Sequence, residues 1–231
     1  MIPWLEPDDP FPPVERALAE PNGLLCAGAD LGVARLLDAY RHGIFPWYSG
    51  REPILWWSPD PRMVLRTDAL RIPRSLAKSR RNRGYEVRAD TAFEAVLDGC
   101  AGPRRDDAGT WLGEDMRAAY LALHRAGFAH SIETWCEGRL AGGLYGLSIG
   151  RMFYGESMFS RATDASKVAL AALVDLLRAR GCPMIDCQMN TPLLASLGAR
   201  EVPRAGFLRE VAALVNYPEP PARWTDRLPA A

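Results

Sequence analysis

Histidine is scarce in this chain, with three in 231 residues. Cysteine is little commoner: Cys26, Cys100, Cys136, Cys182 and Cys187 are five, an odd number, and no two form a CxxC pair. Together these shortages argue against a zinc site and against a disulfide framework. Net charge is absent as well, 28 Lys and Arg against 28 Asp and Glu, so global charge gives no reason to expect nucleic acid or membrane. The longest apolar run, VALAALVDLL, is interrupted by Asp175 and falls far short of a membrane span. The start, MIPWLEPDDP, lacks the basic and apolar regions of a signal peptide. A soluble, reducing, cytoplasmic setting with no membrane partner is the expectation.

What the chain does have is proline, glycine and aromatic residues, and an apolar fraction of 48%, enough for a sizeable core. Near the start, GVARLLDAYRHG reads as a short helix closed by Gly43, with Leu36, Leu37 and Tyr40 on its inner face. IFPWYS and PILWWSPDP are short, apolar and bounded by proline, which suits strand edges or shaped loops. Trp56 and Trp57 are assigned mostly to packing.

From Arg62 to Arg88 the character changes: nine Arg or Lys stand against two acids, Asp68 and Glu86. A solvated helix face or linker would look like this, and so would a phosphate-binding patch, since a local cation excess in a neutral protein is a regional signal.

Two helices follow, over about 90–100 and 113–126, joined by a loop that carries Trp111. HSIETWC, RLAGGLYGLS and RMFYGESM then read as a three-stranded meander. TDASKVALAALVDLLRARG is the clearest helix, with Thr163 or Asp164 as cap and Gly181 just past its end. PMIDCQM follows as a short buried strand, so 151–157, 164–180 and 184–189 form a right-handed βαβ crossover. Loops and a tail poor in regular signals complete the reading.

One residue stands out. In FYGESMFS, Glu156 lies among Phe153, Tyr154, Met158 and Phe159, a costly setting for a carboxylate unless something holds it. A strand-end Glu turned to water is the ordinary explanation. In a βαβ unit, however, working residues gather at the C-terminal ends of the parallel strands. Glu156 is at one such end, and Asp186 and Gln188, two apart on one strand face, are at the other. Neighbouring strands would make all three converge, either as a hydrogen-bond network tying strand ends or as a reaction site.

The order of elements resembles the acyltransferase fold of the GCN5-related N-acetyltransferases. That resemblance implies an α+β chain: a small N-terminal α/β domain over residues 1–61, then an acyltransferase-like domain over 62–231 with a mixed sheet and the crossover. Those proteins hold the acetyl-CoA pyrophosphate with a glycine-rich loop before the crossover helix. Here that place reads SRATDASK, with no glycine, and RLAGGL enters a strand instead. Another acyl donor is expected.

EPNGLLCAGADL, GIFPWYS, ILWWSPDPR, GTW, HSIE, GGLYG, GESMFS, ASK, IDCQ and ASLGARE, in that order over about residues 11–210, resemble the bacterial leucyl/phenylalanyl-tRNA–protein transferases. The resemblance implies transfer of Leu, Phe and sometimes Met from aminoacyl-tRNA to the N-terminal Arg or Lys of a protein, marking it for degradation, with no metal or organic cofactor. Gln188 matches the residue near the attacking amine, Asp186 an acid that polarises it, and Glu156 a residue beside the aminoacyl group. Trp47 and Trp111, with Tyr40 a weaker candidate, match aromatics that hold the terminal adenosine. Leu144, Phe153, Ser157, Met158, Leu173 and Ile185 fall about the donor side chain. Arg74, Lys78, Arg80, Arg81 and Arg83 match the basic cluster for the acceptor arm. Leu144, Leu173 and Leu193 depart from the family pattern, which carries Met or Phe at the first two and His at the third. A monomer is expected. Two other readings stay open: a small-molecule N-acyltransferase with an unusual donor site, and a nonenzymatic tRNA-binding module in which the acid–amide cluster is structural.

Overall fold

The structure, a computed structural model, describes residues 2–50, 52–102, 112–218 and 222–224. The loop before the second long helix, Trp111 included, lies outside the described residues. Two sheets divide the chain. The first has four strands in the order β1-β2-β4-β3: β1 (Trp4–Leu5), β2 (Leu24–Gly28), β3 (Phe45–Pro46) and β4 (Leu55–Trp57). Helix α1 (Val33–Arg41) crosses from β2 to β3 and ends at Gly43, whose φ of 68° supplies the left-handed exit. Its Leu36, Leu37 and Tyr40 are buried, as the periodicity predicts.

The second sheet has seven strands in the order β11-β5-β10-β9-β8-β7-β6. The meander is β7 (Ala129–Cys136), β8 (Arg139–Ile149) and β9 (Met152–Ser160), with β6 (Glu86–Ala89) on one flank. On the other flank β10 (Met184–Asp186) runs parallel to β9, and β5 (Arg62–Arg66) runs antiparallel to β10. The crossover helix expected over 164–180 is α5 (Ala165–Ala179). Its cap differs from the expectation. Asp164 stands at the N-cap with φ 63° and makes no capping hydrogen bond. Its carboxylate instead accepts from Ser79 Oγ at 2.7 Å and Lys167 Nζ at 2.9 Å. The amide of Ser166 is satisfied by Ser160 Oγ at 3.1 Å.

The expected helices before the meander are α3 (Phe93–Ala101) and α4 (Glu114–Arg125). The basic run forms α2 (Arg74–Asn82). Apolar residues collect in two clusters. One joins α5 (Ala169, Leu173, Leu177) to Ile132, Leu144 and Phe153. The other joins α1, α3 and α4 to Tyr145, Leu147 and Tyr154 and runs on into Trp56 of the four-stranded sheet.

The C-terminal stretch is more regular than its sequence suggests. It contains α6 (Pro192–Ser196), capped by Thr191, whose Oγ1 accepts from Leu194 N at 3.2 Å. Then come β11 (Arg200–Val202), paired with β5, and α7 (Arg204–Val215). The apolar residues of α7 sit four apart, at Phe207, Val211 and Val215, and all are buried. That spacing is a helical signal, thinned by the polar residues between.

Candidate active site

Strand lengths open the site. β10 ends with Asp186 opposite Tyr154, while β9 runs on to Ser160 paired with β8 alone. The side of β9 beyond Tyr154 therefore has no strand partner and faces a gap. A bulge lies at the same place: Tyr145 pairs with Ser157 and Gly146 with Gly155, so Glu156 is the extra residue. Such bulges re-aim a side chain. Gly146 is required opposite it, because a Cβ there would collide with the Tyr154 carbonyl and the Phe153 ring.

Glu156 is not turned to water. Its Oε2 accepts from Tyr120 Oη at 2.7 Å, and its Oε1 accepts from Gln188 Nε2 at 3.2 Å. Tyr120 spends its one proton on Glu156, so the 2.8 Å contact between the Tyr40 and Tyr120 hydroxyls has Tyr40 as donor. Burial, reinforced by the Glu156 charge, raises both phenols well above their ordinary values, which keeps both O–H groups intact as donors. Burial also pushes the Glu156 carboxyl up from 4.5 to about 7, with the Tyr120 and Tyr40 hydroxyls pulling the other way.

Gln188 lies beyond the end of β10. It has φ 54°, sparsely populated for a non-glycine residue, and sits at the centre of a turn in which Met189 N donates to Cys187 O at 2.7 Å. The expectation that Asp186 and Gln188 share one strand face is thus corrected. The strand has ended, and a backbone bond, Gln188 N to Asp186 Oδ1 at 3.0 Å, joins them. Asp186 is also no free acid beside an amine. It is wholly buried, and Arg62 grips it through Nε to Oδ1 at 2.8 Å and Nη2 to Oδ2 at 2.7 Å.

A cavity of about 920 Å³ adjoins this network. Phe45, Trp47, Tyr48 and Trp57 of the N-terminal sheet region line one part. Leu144, Met158, Leu170, Leu173, Ile185 and Cys187 line another, and Glu156, Ser157 and Gln188 also face it. Burial raises the Cys187 thiol far above its ordinary value, so that wall is uncharged. Among residues singled out in the sequence, Glu156, Gln188, Trp47, Leu144, Ser157, Met158, Leu173, Ile185 and Leu193 line the cavity.

Others are placed differently. Phe153 is fully buried, 5.8 Å from the Trp224 ring, and belongs to the core. Tyr40 is also fully buried and does not line the cavity; its hydroxyl meets Tyr120 and acts on the Glu156 carboxylate from behind. Trp56 is core, its Nε1 donating to Gly28 O at 3.0 Å; Trp57 packs against the core as expected, and it also lines the cavity and meets Trp47 edge-on at 5.4 Å. Tyr120 and Arg62 complete the network and were not singled out in the sequence. Arg62 was legible in principle, since a charge opening the apolar strand RMVLR is the same kind of signal as Glu156. A tyrosine in an amphipathic helix gives no such sign.

The basic run divides too. Arg62 is paired with Asp186, Arg66 with Glu210, Arg88 with Glu86, and Arg80 with Asp175. Arg74, Lys78, Arg81 and Arg83 are exposed on or next to α2. Among the described residues, no cluster of three or more His, Cys, Asp or Glu could hold a metal ion, and no helix is long and apolar enough to cross a membrane.

The sequence profile described as leucyl/phenylalanyl-tRNA protein transferase matches residues 64–212, and its N-terminal domain profile matches residues 29–60. The chain belongs to this family. A leucyl/phenylalanyl-tRNA–protein transferase of Thiobacillus denitrificans is 62% identical over 215 residues, covering 93% of this chain and 94% of its own. One of Chromobacterium violaceum is 58% identical over 224 residues, covering 97% and 96%. Among solved structures, a GCN5-related N-acetyltransferase from Kribbella flavida is similar at TM-score 0.35 and 13% identity, covering 79% of this chain and 66% of its own.

Proposed function

We propose that this chain transfers Leu, Phe and sometimes Met from aminoacyl-tRNA to the N-terminal Arg or Lys of proteins, marking them for degradation, as a cytoplasmic monomer. The observation that carries this reading is the Glu156–Gln188 pair facing a cavity with an aromatic wall and an aliphatic one. The donor is an ester, already activated, so alignment of an amine with its carbonyl is the main requirement. Because Gln188 Nε2 is committed to Glu156, its amide oxygen is the group left to accept from the incoming amine. The ionised Glu156 supplies charge for an ammonium, and Leu144, Met158 and Leu173 take an apolar side chain.

In the reaction the amine nitrogen bonds to the acyl carbon, the C–O bond to the ribose breaks, and the ribose oxygen takes up the proton that the amine loses. Trp47, half out of the wall at 39% exposure, offers an indole face for the terminal adenine. The start of α5 supports a donor other than acetyl-CoA: the Asp164 carboxylate, paired with Lys167, occupies the N-cap, and no glycine-rich loop precedes the helix. Incubation with Phe-charged tRNA and a peptide beginning with Arg should add one Phe residue to the peptide. A folded protein that leaves the peptide unchanged would overturn the reading.

A further inference from the structure

We propose that Arg62 is a positioning residue for the transfer, holding Gln188 in its turn and tying that turn to the aromatic wall; this rests on the transfer reading above. Gln188 needs a holder, because its backbone occupies a region that costs about 1 kcal/mol or more for a side-chain-bearing residue. Its amide donates to Asp186 Oδ1, and its carbonyl accepts from Met63 N at 3.2 Å, the residue after Arg62. Arg62 engages both Asp186 oxygens and so fixes the carboxylate that receives the Gln188 amide.

The guanidinium is itself fixed on every side. Its Nη1 donates to Gly43 O at 3.0 Å, and its central carbon lies over the rings of Phe45 at 4.8 Å and Phe207 at 4.7 Å. Phe45 lines the cavity two residues before Trp47. One fully buried side chain thus joins the exit of α1, strand β3, helix α7 and the end of β10. A lysine would keep the charge but lose the flat fork and the stacking. Stability alone is a weak reason for such a pair, since well-packed apolar residues in its place are often neutral or stabilising.

Two variants and two readouts test this. Arg62→Lys should lower the kcat of transfer about tenfold or more, with KM for aminoacyl-tRNA nearly unchanged, because a displaced amide harms alignment and leaves donor contacts alone. The double variant Arg62→Met, Asp186→Leu should keep its melting temperature near wild type and still be slow. Wild-type kcat in either variant would make the pair structural only and overturn the proposal. Amide hydrogen exchange tests the clamp without reference to catalysis, and so stands even if the wild-type chain transfers nothing. Arg62→Lys should speed exchange at Gln188 about tenfold and leave the β9–β10 ladder unchanged. An unaltered rate at Gln188 would overturn it.

Discussion

Arg62 and Arg81 belong to one run of cations, yet they stand in opposite physical settings. Arg62 is wholly buried, and three of its five N–H groups donate to Asp186 and Gly43. Arg81 lies exposed on α2. The difference is one of medium. In the buried network each polar group has a specific partner whose loss leaves an uncompensated charge or dipole. On α2 the cations act collectively through water, and salt screens them. Mutations in the first region should therefore be large, sharp and independent of salt, and those in the second small, additive and dependent on it.

The largest effects belong to the strand end. Gln188→Ala should slow single-turnover transfer at saturating donor by about a hundredfold, the cost of misplacing an aligned group, while tRNA affinity stays near wild type. Asp186→Ala should match that loss, and the double variant should be little slower than the worse single, because the two act as a unit. Asp186→Ala should also destabilise the fold by roughly 3–5 kcal/mol, since it strands the buried Arg62; Gln188→Ala should not. Chemical denaturation of both variants measures the contrast, and equal stability would break it.

Next comes the pH dependence of Glu156. Its folded value, about 7, lies above its ordinary 4.5. A raised carboxyl favours the protonated folded state, so its contribution to stability is fully present below 4.5 and is lost as pH rises through about 7. Activity should run the other way, climbing as Glu156 ionises to receive an ammonium. The acceptor's own α-amine gives a rise at about 8 in every variant. The wild type should show a further rise through about 7, and Glu156→Gln should lack that further step. Tyr120→Phe, by removing a hydroxyl that donates to the carboxylate, should move the step to higher pH. A wild-type rate that follows the Glu156→Gln profile between pH 5 and 9 would detach Glu156 from the chemistry.

Trp47 falls between the two regions, part wall and part surface. Trp47→Ala should weaken binding of an aminoacyl-adenosine analogue by roughly 1–3 kcal/mol, the usual worth of one stacked base, as measured by calorimetry. Unchanged affinity in a folded variant would reassign the indole to its contact with Trp57.

Periodic elements were legible because burial writes a repeating pattern. α1, α4, α5 and the meander fall within a few residues of where alternation and caps put them. Glu156 and Gln188 were legible as polar residues inside apolar words. The mode of their meeting was not, since a bulge at Glu156 and a left-handed Gln188 are backbone events that side-chain alternation does not encode. Tyr120 was hidden because a tyrosine on an amphipathic helix looks like packing, whereas Arg62 carried the same signal as Glu156, a charge in an apolar strand, and only its pairing with Asp186, 124 residues away, was unreadable. α7 was missed because its buried positions, four apart, are diluted by the residues between.

The smallest effect separates two neighbours on α2 and tests the comparison most finely. Sequence treats Arg80 and Arg81 alike, as adjacent cations in one patch. In the structure Arg80 packs along α5, its side chain 11% exposed, and Nη2 donates to Asp175 at 3.0 Å. Arg81 is exposed. A cation engaged by a carboxylate has less to offer a phosphate, because binding would first have to break the existing pair. Arg81→Ala should therefore flatten the plot of log affinity for tRNA against log salt by about 0.7–0.9, the contribution of one phosphate contact. Arg80→Ala should leave that slope nearly unchanged and instead lower stability by about 1 kcal/mol, the upper end for a surface ion pair, because only its Asp175 partner is exposed. Titrations at several salt concentrations decide it. Equal slopes for the two variants would mean that the pair with Asp175 opens when tRNA binds, and that the run acts as one patch after all.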